Sequence, residues 1–257
     1  MTRKLETSDV PAVLDLVRRE PSLNIWIIAD LENYGLETDF LDLWGFFAGS
    51  ALRAVVLRFH SHFVAYSADN ELPGGLVAVL TSPELKSLSG RATTLKPVAE
   101  ELGCAEVTLK YLAGLTPASF RSLSNPSLKV EFGSIADSQG LHDLASHVAE
   151  FAGGTAEDMR GRLSNPRART YLIRQDSHIV SAASTTVECS TSAMIGGVMT
   201  HPGYRGRGLA SACLSKLCHD LLDAGKVCCL TYYNPEAGRI YARLGFTVVS
   251  PWILAKR

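Results

Sequence analysis

A glycine-rich turn with two arginines stands between a strand-like run and a helix, and its residue types suit it to bind an anion. The stretch Thr200 to Ser211 reads THPGYRGRGLAS. The first turn of any helix leaves N–H groups without partners, and the helix dipole adds partial positive charge there. Small residues at Gly206, Gly208 and Ala210 allow a pyrophosphate to approach that backbone closely. A lone glycine turn is weak evidence for an anion site, so the elements around it must decide whether this turn is one.

The elements around this turn predict a crossover unit. Thr191 to Thr200 is typical of a strand, although Gly196-Gly197 in its middle indicates a bulge or a close approach by a ligand. After Gly208, leucines and cysteines at helical spacing predict a helix with one buried face, and Lys226 to Tyr232 predicts a buried strand. Such a crossover is right-handed, and it places the turn at the carboxyl end of its first strand.

The composition is that of an ordinary globular protein. The formal net charge of the 257 residues is −1, so no overall field would recruit nucleic acid or an anionic membrane. No apolar run approaches the roughly 20 residues that span a bilayer, and the N-terminus lacks the apolar core of a signal peptide. The six cysteines show no CxxC pair and no metal-ligand spacing with histidine. We therefore expect a cytoplasmic protein with buried thiols and no metal site.

A similar helix start occurs twice along the chain. Ser8-Asp9 and Asp137-Ser138 each precede apolar residues at the spacing of one helix face. Between them, Thr116 to Lys129 is rich in Ser, Pro and Asn, as linkers are. We interpret the chain as two related halves, residues 1–125 and 126–257. The alternative is that two amphipathic helices merely share a common spacing.

Hydrophobic periodicity predicts the elements of each half. In the first half we expect helices over Ser22 to Tyr34 and Pro73 to Leu88, and strands over Leu43 to Phe47, Ala51 to Phe59, His62 to Ser67 and Glu106 to Leu112. In the second half we expect further strands over Lys129 to Gly133, Thr170 to Arg174, Ile179 to Glu188 and Phe246 to Ile253, and helices over Asp137 to Phe151, Glu157 to Leu163 and Pro235 to Leu244. The first half contains no glycine-rich anion loop, so we interpret it as a scaffold or substrate-side domain.

Two motifs of the second half carry a family resemblance. Arg205-Gly206-Arg207-Gly208-Leu209-Ala210 matches the (Gln/Arg)-x-x-Gly-x-(Gly/Ala) signature of the GCN5-related N-acetyltransferases, and Asn234 to Ala237 with Tyr241 to Phe246 resembles their second motif. The resemblance is strong from Thr191 to Phe246, moderate back to Lys129, and only architectural in the first half, which looks like a degenerate copy. It implies α/β (α+β) tandem domains with a mixed, mostly antiparallel sheet, flanking helices and a central bulged strand.

The resemblance also implies a donor site for acetyl-CoA between two splayed strands. Backbone groups of Val198, Met199 and Thr200 would pair with the pantetheine arm. The pyrophosphate would be held by N–H groups of Arg205, Gly206, Arg207, Gly208, Leu209, Ala210 and Ser211. For Asn234 two interpretations stay open: a polar contact to the pantetheine, or a helix N-cap ahead of Pro235.

The acetyl transfer that the resemblance implies would need a general acid and a general base. Tyr241 is the candidate acid, because in the family a tyrosine at this place commonly protonates the departing thiolate. The base is harder to name, since the strand before the bulge carries no carboxylate. Glu188 is the nearest acidic candidate, with a solvated turn residue as its alternative interpretation, and His201 could serve if it faces the cleft. No base that would activate Cys189 is visible, so direct transfer is favoured over an acyl-enzyme.

The function expected from the sequence is transfer of an acetyl group from acetyl-CoA to a primary amine of a small molecule. Two alternatives remain: an acyl-CoA-binding sensor or pseudoenzyme without turnover, and an amino-acid or peptide N-acyltransferase, with the length of the acyl donor open. We expect neither nucleic acid nor membrane as a partner, and a homodimer is a possible assembly.

Overall fold

Each half of the chain begins with a short strand and ends with a long one. The computed structural model describes residues 1–123 and 125–257. The first half comprises β1 (Thr2–Lys4), α1 (Val10–Val17), α2 (Ile25–Tyr34), β2 (Leu41–Ala48), β3 (Ala51–Phe59), β4 (His62–Ser67), α3 (Gly74–Val79), β5 (Ser87–Arg91), α4 (Ala92–Glu101) and β6 (Glu106–Leu115). The second comprises β7 (Glu131–Phe132), α5 (Ser138–Ser146), α6 (Ala156–Ser164), β8 (Thr170–Gln175), β9 (His178–Glu188), β10 (Ser192–Thr200), α7 (Leu209–Asp223), β11 (Val227–Tyr232), α8 (Pro235–Leu244) and β12 (Thr247–Lys256).

The two halves enter their first helix through the same local structure. A 3₁₀ turn precedes α1 and another precedes α5. In the first turn the N–H of Glu6 donates to Asp9 Oδ2 at 2.9 Å, and in the second the N–H of Ser134 donates to Asp137 Oδ2 at 2.7 Å. An acidic side chain thus caps both turns. The order of strands and helices is also the same in both halves, which supports our interpretation of the chain as a tandem.

The strands of the described residues form a single sheet in the order β1-β2-β3-β4-β5-β12-β6-β11-β10-β9-β8-β7. Only the pairs β4–β5 and β10–β11 are parallel in this part of the chain, and the others are antiparallel. The mixed, mostly antiparallel sheet is therefore confirmed. The last strand of each half has crossed into the other half: β6 pairs with β11, and β12 pairs with β5.

Helices cover both faces of the sheet, and successive side chains of β10 pack against helices on opposite faces. Met194 packs into the cluster formed with α1 and α2, whereas Ala193 and Ile195 pack against α7. A further cluster joins α5 and α6 to β8 and β9, and another joins α3 and α4 to β12. Five of the six cysteines are buried in these layers. None of the described helices has the length and apolar character needed to cross a membrane.

The predicted helix from Pro73 to Leu88 is wrong beyond Val79. Helix α3 is short, and strand β5 and helix α4 follow it without having been predicted. Residues 87–91 include no β-branched side chain, so propensity gives no strand signal, and pairing with β4 and β12 fixes the strand. Helix α4 contains Pro97 in its interior, which hides it from pattern analysis.

The helix predicted from Asp137 to Phe151 is too long, because α5 ends at Ser146. The Ser146 hydroxyl donates to the carbonyl of Asp143 at 2.7 Å, and His147 Nδ1 lies 2.7 Å from the same oxygen. Side chains thus satisfy the carbonyl that a further helical turn would have used.

Candidate functional site

Strands β10 and β11 run in parallel and then separate. Residues 192–195 pair with residues 227–230, and the last pair is Ile195 with Leu230. Beyond it, β10 continues beside β9 and β11 continues beside β6. A wedge therefore opens between residues 196–200 and residues 231–232, at the carboxyl ends of both strands. No strand in the described part of the chain pairs with the edge of β10 that faces this wedge.

A bulge in β10 lies at the start of the wedge. Gly196 is opposite Ser184 and Met199 is opposite Ala182, so β10 has one residue more than β9 over this interval. Gly197 has φ 59°, a conformation that L side chains rarely adopt. A Cβ at Gly196 would lie 2.6 Å from Thr186 Cγ2. Both glycines are thus needed for the bulge that the sequence predicted.

The turn after β10 presents a row of free N–H groups. Gly206 and Gly208 have φ 76° and 77°, and a Cβ at either would meet no atom within 4 Å. Among the residues that the structure describes, the N–H groups of residues 206–211 have no acceptor. Helix α7 begins at Leu209 and adds its positive dipole end. This geometry fits a pyrophosphate, which needs several N–H donors and no side-chain bulk in front of them.

The two arginines of the turn are tied to its backbone. Arg205 Nε donates to the carbonyl of Thr200 at 3.4 Å, and Arg207 donates to the carbonyl of Gly203 at the same distance. The Arg207 guanidinium also lies 5.1 Å from the centre of the Tyr204 ring. Neither arginine forms an ion pair within the described residues. Both guanidinium groups are therefore available to pair with an incoming anion.

His201 caps the short 3₁₀ turn that starts the loop. Its Nδ1 accepts from the N–H of Gly203 at 3.2 Å, and its ring centre lies 4.7 Å from that of His147. One ring nitrogen is thus occupied by the local backbone. This arrangement gives no support to the expectation that His201 serves as a base.

Val198, Met199 and Thr200 form the free edge of β10. The Met199 side chain is buried in the cluster with α5 and α6, and Val198 packs toward the cluster with α7. The Thr200 and Ser181 hydroxyl oxygens are 2.9 Å apart. What these residues offer to the wedge is consequently their backbone, as pairing with a pantetheine arm would require. That pairing remains a prediction.

Tyr241 on α8 lies beside the wedge, and its ring is in contact with two other aromatic rings. Its ring centre lies 5.4 Å from that of Tyr232 and 6.0 Å from that of Phe246. Burial, with a smaller effect of Tyr232, raises the pKa of Tyr241 to about 12. Its hydroxyl makes no hydrogen bond to any described residue. The phenol is therefore protonated at neutral pH and free to donate, although its catalytic role is still a prediction.

Asn234 is the N-cap of α8. Its Oδ1 accepts from the N–H of Glu236 at 2.9 Å, and Pro235 occupies the first helical position. The capping interpretation is therefore observed. The side-chain oxygen is engaged, so any contact with a pantetheine would fall to the amide nitrogen, and such a contact stays a prediction.

Glu188 is neither a solvated turn residue nor a group at the bulge. It lies opposite Ala193, three residues before Gly196, and is 5 % exposed. Its carboxylate accepts from Lys226 Nζ at 2.8 Å and from the Thr185 hydroxyl at 2.9 Å, and Arg169 Nε lies at 3.5 Å. Lys226 and Arg169 come from other segments of the chain and hold the carboxylate in a buried ion pair. We therefore withdraw the expectation that Glu188 is the base.

A groove lies on the face of the sheet that α6 covers. Its volume is about 590 Å³, and it is lined by α6 and by the end of β9. Glu157, Asp158 and Arg162 supply its charged groups, and Thr186 joins it to the bulge, since Thr186 is the residue that abuts Gly196. The sequence carries no motif for these residues, because only the packing of α6 on β9 brings them together.

Tyr232 and Tyr111 also lie at the wedge, and neither belongs to a motif. They are opposite each other on β11 and β6, with ring centres 5.4 Å apart. Only the register between strands of different halves reveals this pair.

Comparison with known proteins supports the family resemblance of the two motifs. Residues 166–254 match the family model described as GNAT acetyltransferase. A GCN5-related N-acetyltransferase from Sphaerobacter thermophilus is similar in structure, with a TM-score of 0.64 and 17% identity over 100% of this chain and 95% of that chain. A Drosophila protein aligns with a TM-score of 0.68 and 13% identity over 100% and 98% of the two chains. A tandem GNAT protein from the clavulanic acid biosynthesis pathway aligns with a TM-score of 0.56 and 13% identity, also over 100% and 98%. No curated protein matches the sequence.

These findings define the class of the protein. Residues 166–254, where both predicted motifs, the bulge and the wedge are found, match the GNAT acetyltransferase family. The family transfers acyl groups, generally from acetyl-CoA or another acyl-CoA. The structural likenesses extend the fold over the whole chain, and at 13–17% identity they carry no information about the acceptor.

Proposed function

We propose that this chain transfers an acetyl group from acetyl-CoA directly to a primary amine of a small molecule. The observation that carries the proposal is the continuity of the wedge with the free N–H groups. Residues 196–200 form the unpaired edge of β10, and residues 206–211 follow them directly in the chain. One elongated ligand with a pyrophosphate at one end and amide groups further along would satisfy both.

Each part of this surface has a defined task in the proposal. The N–H groups of residues 206–211 bind the pyrophosphate, and the backbone edge from Val198 to Thr200 pairs with the amides of the pantetheine. When bound, acetyl-CoA supplies the thioester whose carbonyl carbon is attacked. Tyr241 then donates its phenolic proton to the sulfur as the carbon–sulfur bond breaks.

A cationic amine loses two protons in this reaction: the proton lost as the amide forms restores the phenol of Tyr241, and the other must leave before the nitrogen lone pair can attack. No carboxylate occupies residues 192–195 of β10, and Glu188 is held by Lys226 and Arg169. The groove beside α6 reaches the bulge through Thr186, and it is open to water. We assign the transfer of this proton to water in that groove, and we assign no side chain as the base.

The groove has enough room for a small acceptor. Sites for small molecules have volumes of about 300–1,000 Å³, and this groove has about 590 Å³. The charged side chains of the groove, Glu157, Asp158 and Arg162, sum to one negative charge, which favours a cationic amine.

The experiment that tests the proposal measures release of free thiol from acetyl-CoA in the presence of single amines. The panel contains small primary amines, free amino acids and short peptides, and the reaction without amine gives the hydrolysis background. Stimulation by a small primary amine, with the acetylated product seen by mass spectrometry, supports the proposal. Stimulation by peptides alone would replace it with peptide acylation, and the same panel with longer acyl-CoA donors tests the donor.

A second candidate function is binding of acyl-CoA without turnover. The observation in its favour is the arrangement around the amine, where β10 has no carboxylate and Glu188 is buried in an ion pair. Binding of CoA by calorimetry combined with no thiol release for any amine would favour this sensor function.

A further inference from the structure

The first half of the chain supplies one of the rings beside the wedge. Strand β6 belongs to the first half and yet pairs with β11, which places Tyr111 opposite Tyr232. The two ring planes are tilted by 38°, with centres 5.4 Å apart. Tyr111 is 44% exposed, so its ring lies at the surface beside Tyr232.

Tyr232 in turn contacts Tyr241. The two ring centres are 5.4 Å apart, and the ring planes meet at 61° in an edge-on arrangement. Gly238 on α8 allows this close approach, because a Cβ there would lie 2.7 Å from Tyr232 Cε2. The Tyr232 ring therefore contacts both Tyr111 of the first half and Tyr241 of α8, whereas those two rings make no contact with each other.

We propose that Tyr111, contributed by the first half, is a positioning residue for the reaction of the second half, because its ring holds Tyr232 against Tyr241. The assignment of a reaction to Tyr241 rests on the proposed function, whereas the relay of contacts does not. A phenol can protonate a departing sulfur only within hydrogen-bond reach, so a ring that leans away loses the step. Loss of Tyr111 would let Tyr232 turn toward solvent and remove one wall from Tyr241.

The contact is made by rings and not by hydroxyl groups. Neither Tyr111 nor Tyr232 has a hydrogen bond from its hydroxyl to any described residue. A phenylalanine at position 111 should consequently preserve the relay, and an alanine should break it. Leu109 provides a matched control, since it lies two residues earlier on β6, is 56% exposed and has no aromatic partner among the described residues.

The first experiment uses the full chain and compares Tyr111→Ala, Tyr111→Phe and Leu109→Ala. We expect Tyr111→Ala to lower kcat about tenfold while KM for acetyl-CoA stays within about twofold, because misplacement of a reacting group lowers turnover rather than binding. Both other variants should keep kcat within about twofold. Equal losses in Tyr111→Ala and Leu109→Ala would overturn the proposal.

A second comparison tests whether Tyr111 acts through Tyr241. In the Tyr241→Phe background the acid is already absent, so adding Tyr111→Ala should cause no further loss of kcat. If Tyr111→Ala lowers kcat by the same factor in both backgrounds, Tyr111 does not act through Tyr241.

A third measurement does not depend on turnover. Protein labelled with ¹³C at the tyrosine Cζ gives a Tyr241 signal that is identified by its absence in Tyr241→Phe. This signal should move in Tyr111→Ala and stay in place in Leu109→Ala. If no amine supports turnover, the proposed function fails, and this signal still decides whether Tyr111 positions Tyr241: an unmoved signal in Tyr111→Ala overturns the proposal.

Discussion

Ile195 and Leu230 are the last paired residues of the parallel strands β10 and β11. The next residue of β10, Gly196, enters a bulge, and the next residue of β11, Thr231, stays paired with β6. The two strands are therefore pulled apart by their outer neighbours, β9 and β6. A cleft made in this way exposes backbone on one edge, which suits a ligand that carries amide groups.

The free N–H groups at the start of α7 predict that bulk at Gly208 weakens CoA binding. Gly208→Val places a side chain in the open space before these groups, and we expect at least about a tenfold loss of affinity by calorimetry. Gly225→Val is the control, because Gly225 has a similar φ of 75° with nothing within 4 Å and lies at the other end of α7. Both variants carry the left-handed strain of about 1–2 kcal/mol. Equal affinities in the two variants would remove the cradle assignment.

Tyr241→Phe should lower turnover and leave donor binding intact. A positioned general acid contributes about 10²-fold or more, so kcat should fall by about that factor with KM for acetyl-CoA unchanged. Tyr233→Phe is the control, because Tyr233 is adjacent to the wedge and 60% exposed.

The protonation of the Tyr241 phenol also predicts how turnover depends on pH. The pKa of Tyr241 is raised to about 12, so its acid form persists throughout the neutral range and is lost only as the pH rises toward 12. Turnover limited by this acid should therefore show no alkaline decline below about pH 10. Unchanged kcat in Tyr241→Phe at saturating substrates would exclude the acid role.

The elements that carry the motifs could be predicted from the sequence, because their signals are local. Helix α8 has the predicted bounds, since Asn234 and Pro235 define its start and Gly245 its end. The role of Glu188 could not be predicted in this way. Its neighbours in sequence are typical of a turn, and its partner Lys226 lies 38 residues away. The exchange of β6 and β12 between the two halves could not be predicted from the sequence either, because strand order is decided by long-range pairing.

The buried ion pair between Glu188 and Lys226 predicts a large loss of stability when the lysine is removed. Lys226→Met leaves the buried carboxylate with Arg169 as its one remaining cationic partner among the described residues, and we expect a decrease of about 3 kcal/mol in the free energy of unfolding. Lys256→Met is the matched control, because its pair with Glu106 is about half exposed on both sides and contributes less than about 1 kcal/mol. Urea denaturation measures both values, and similar losses would contradict the structural role of Glu188.

Asp30 on α2 predicts a pH-dependent stability. Burial raises its pKa to about 7, and it forms no ion pair within the described residues. The folded state thus favours the neutral acid, so folding loses stability as the pH rises from the unfolded pKa toward 7. Asp30→Asn should raise the melting temperature more at pH 8 than at pH 4.5. Asp15→Asn, at an exposed site on α1, should show little change at either pH, and equal effects of Asp30→Asn at both pH values would contradict the assignment.

The exchange of β6 and β12 predicts that residues 126–257 do not fold alone. In this fragment β11 would lack β6 along its whole length, and β12 would lack both of its neighbours. Exposed strand edges of this kind favour aggregation. We expect the fragment to be insoluble or unfolded by circular dichroism, and to become soluble when residues 1–125 are coexpressed with it. Cooperative thermal unfolding of the fragment by itself would show that the second half is independent of the strand that the first half contributes.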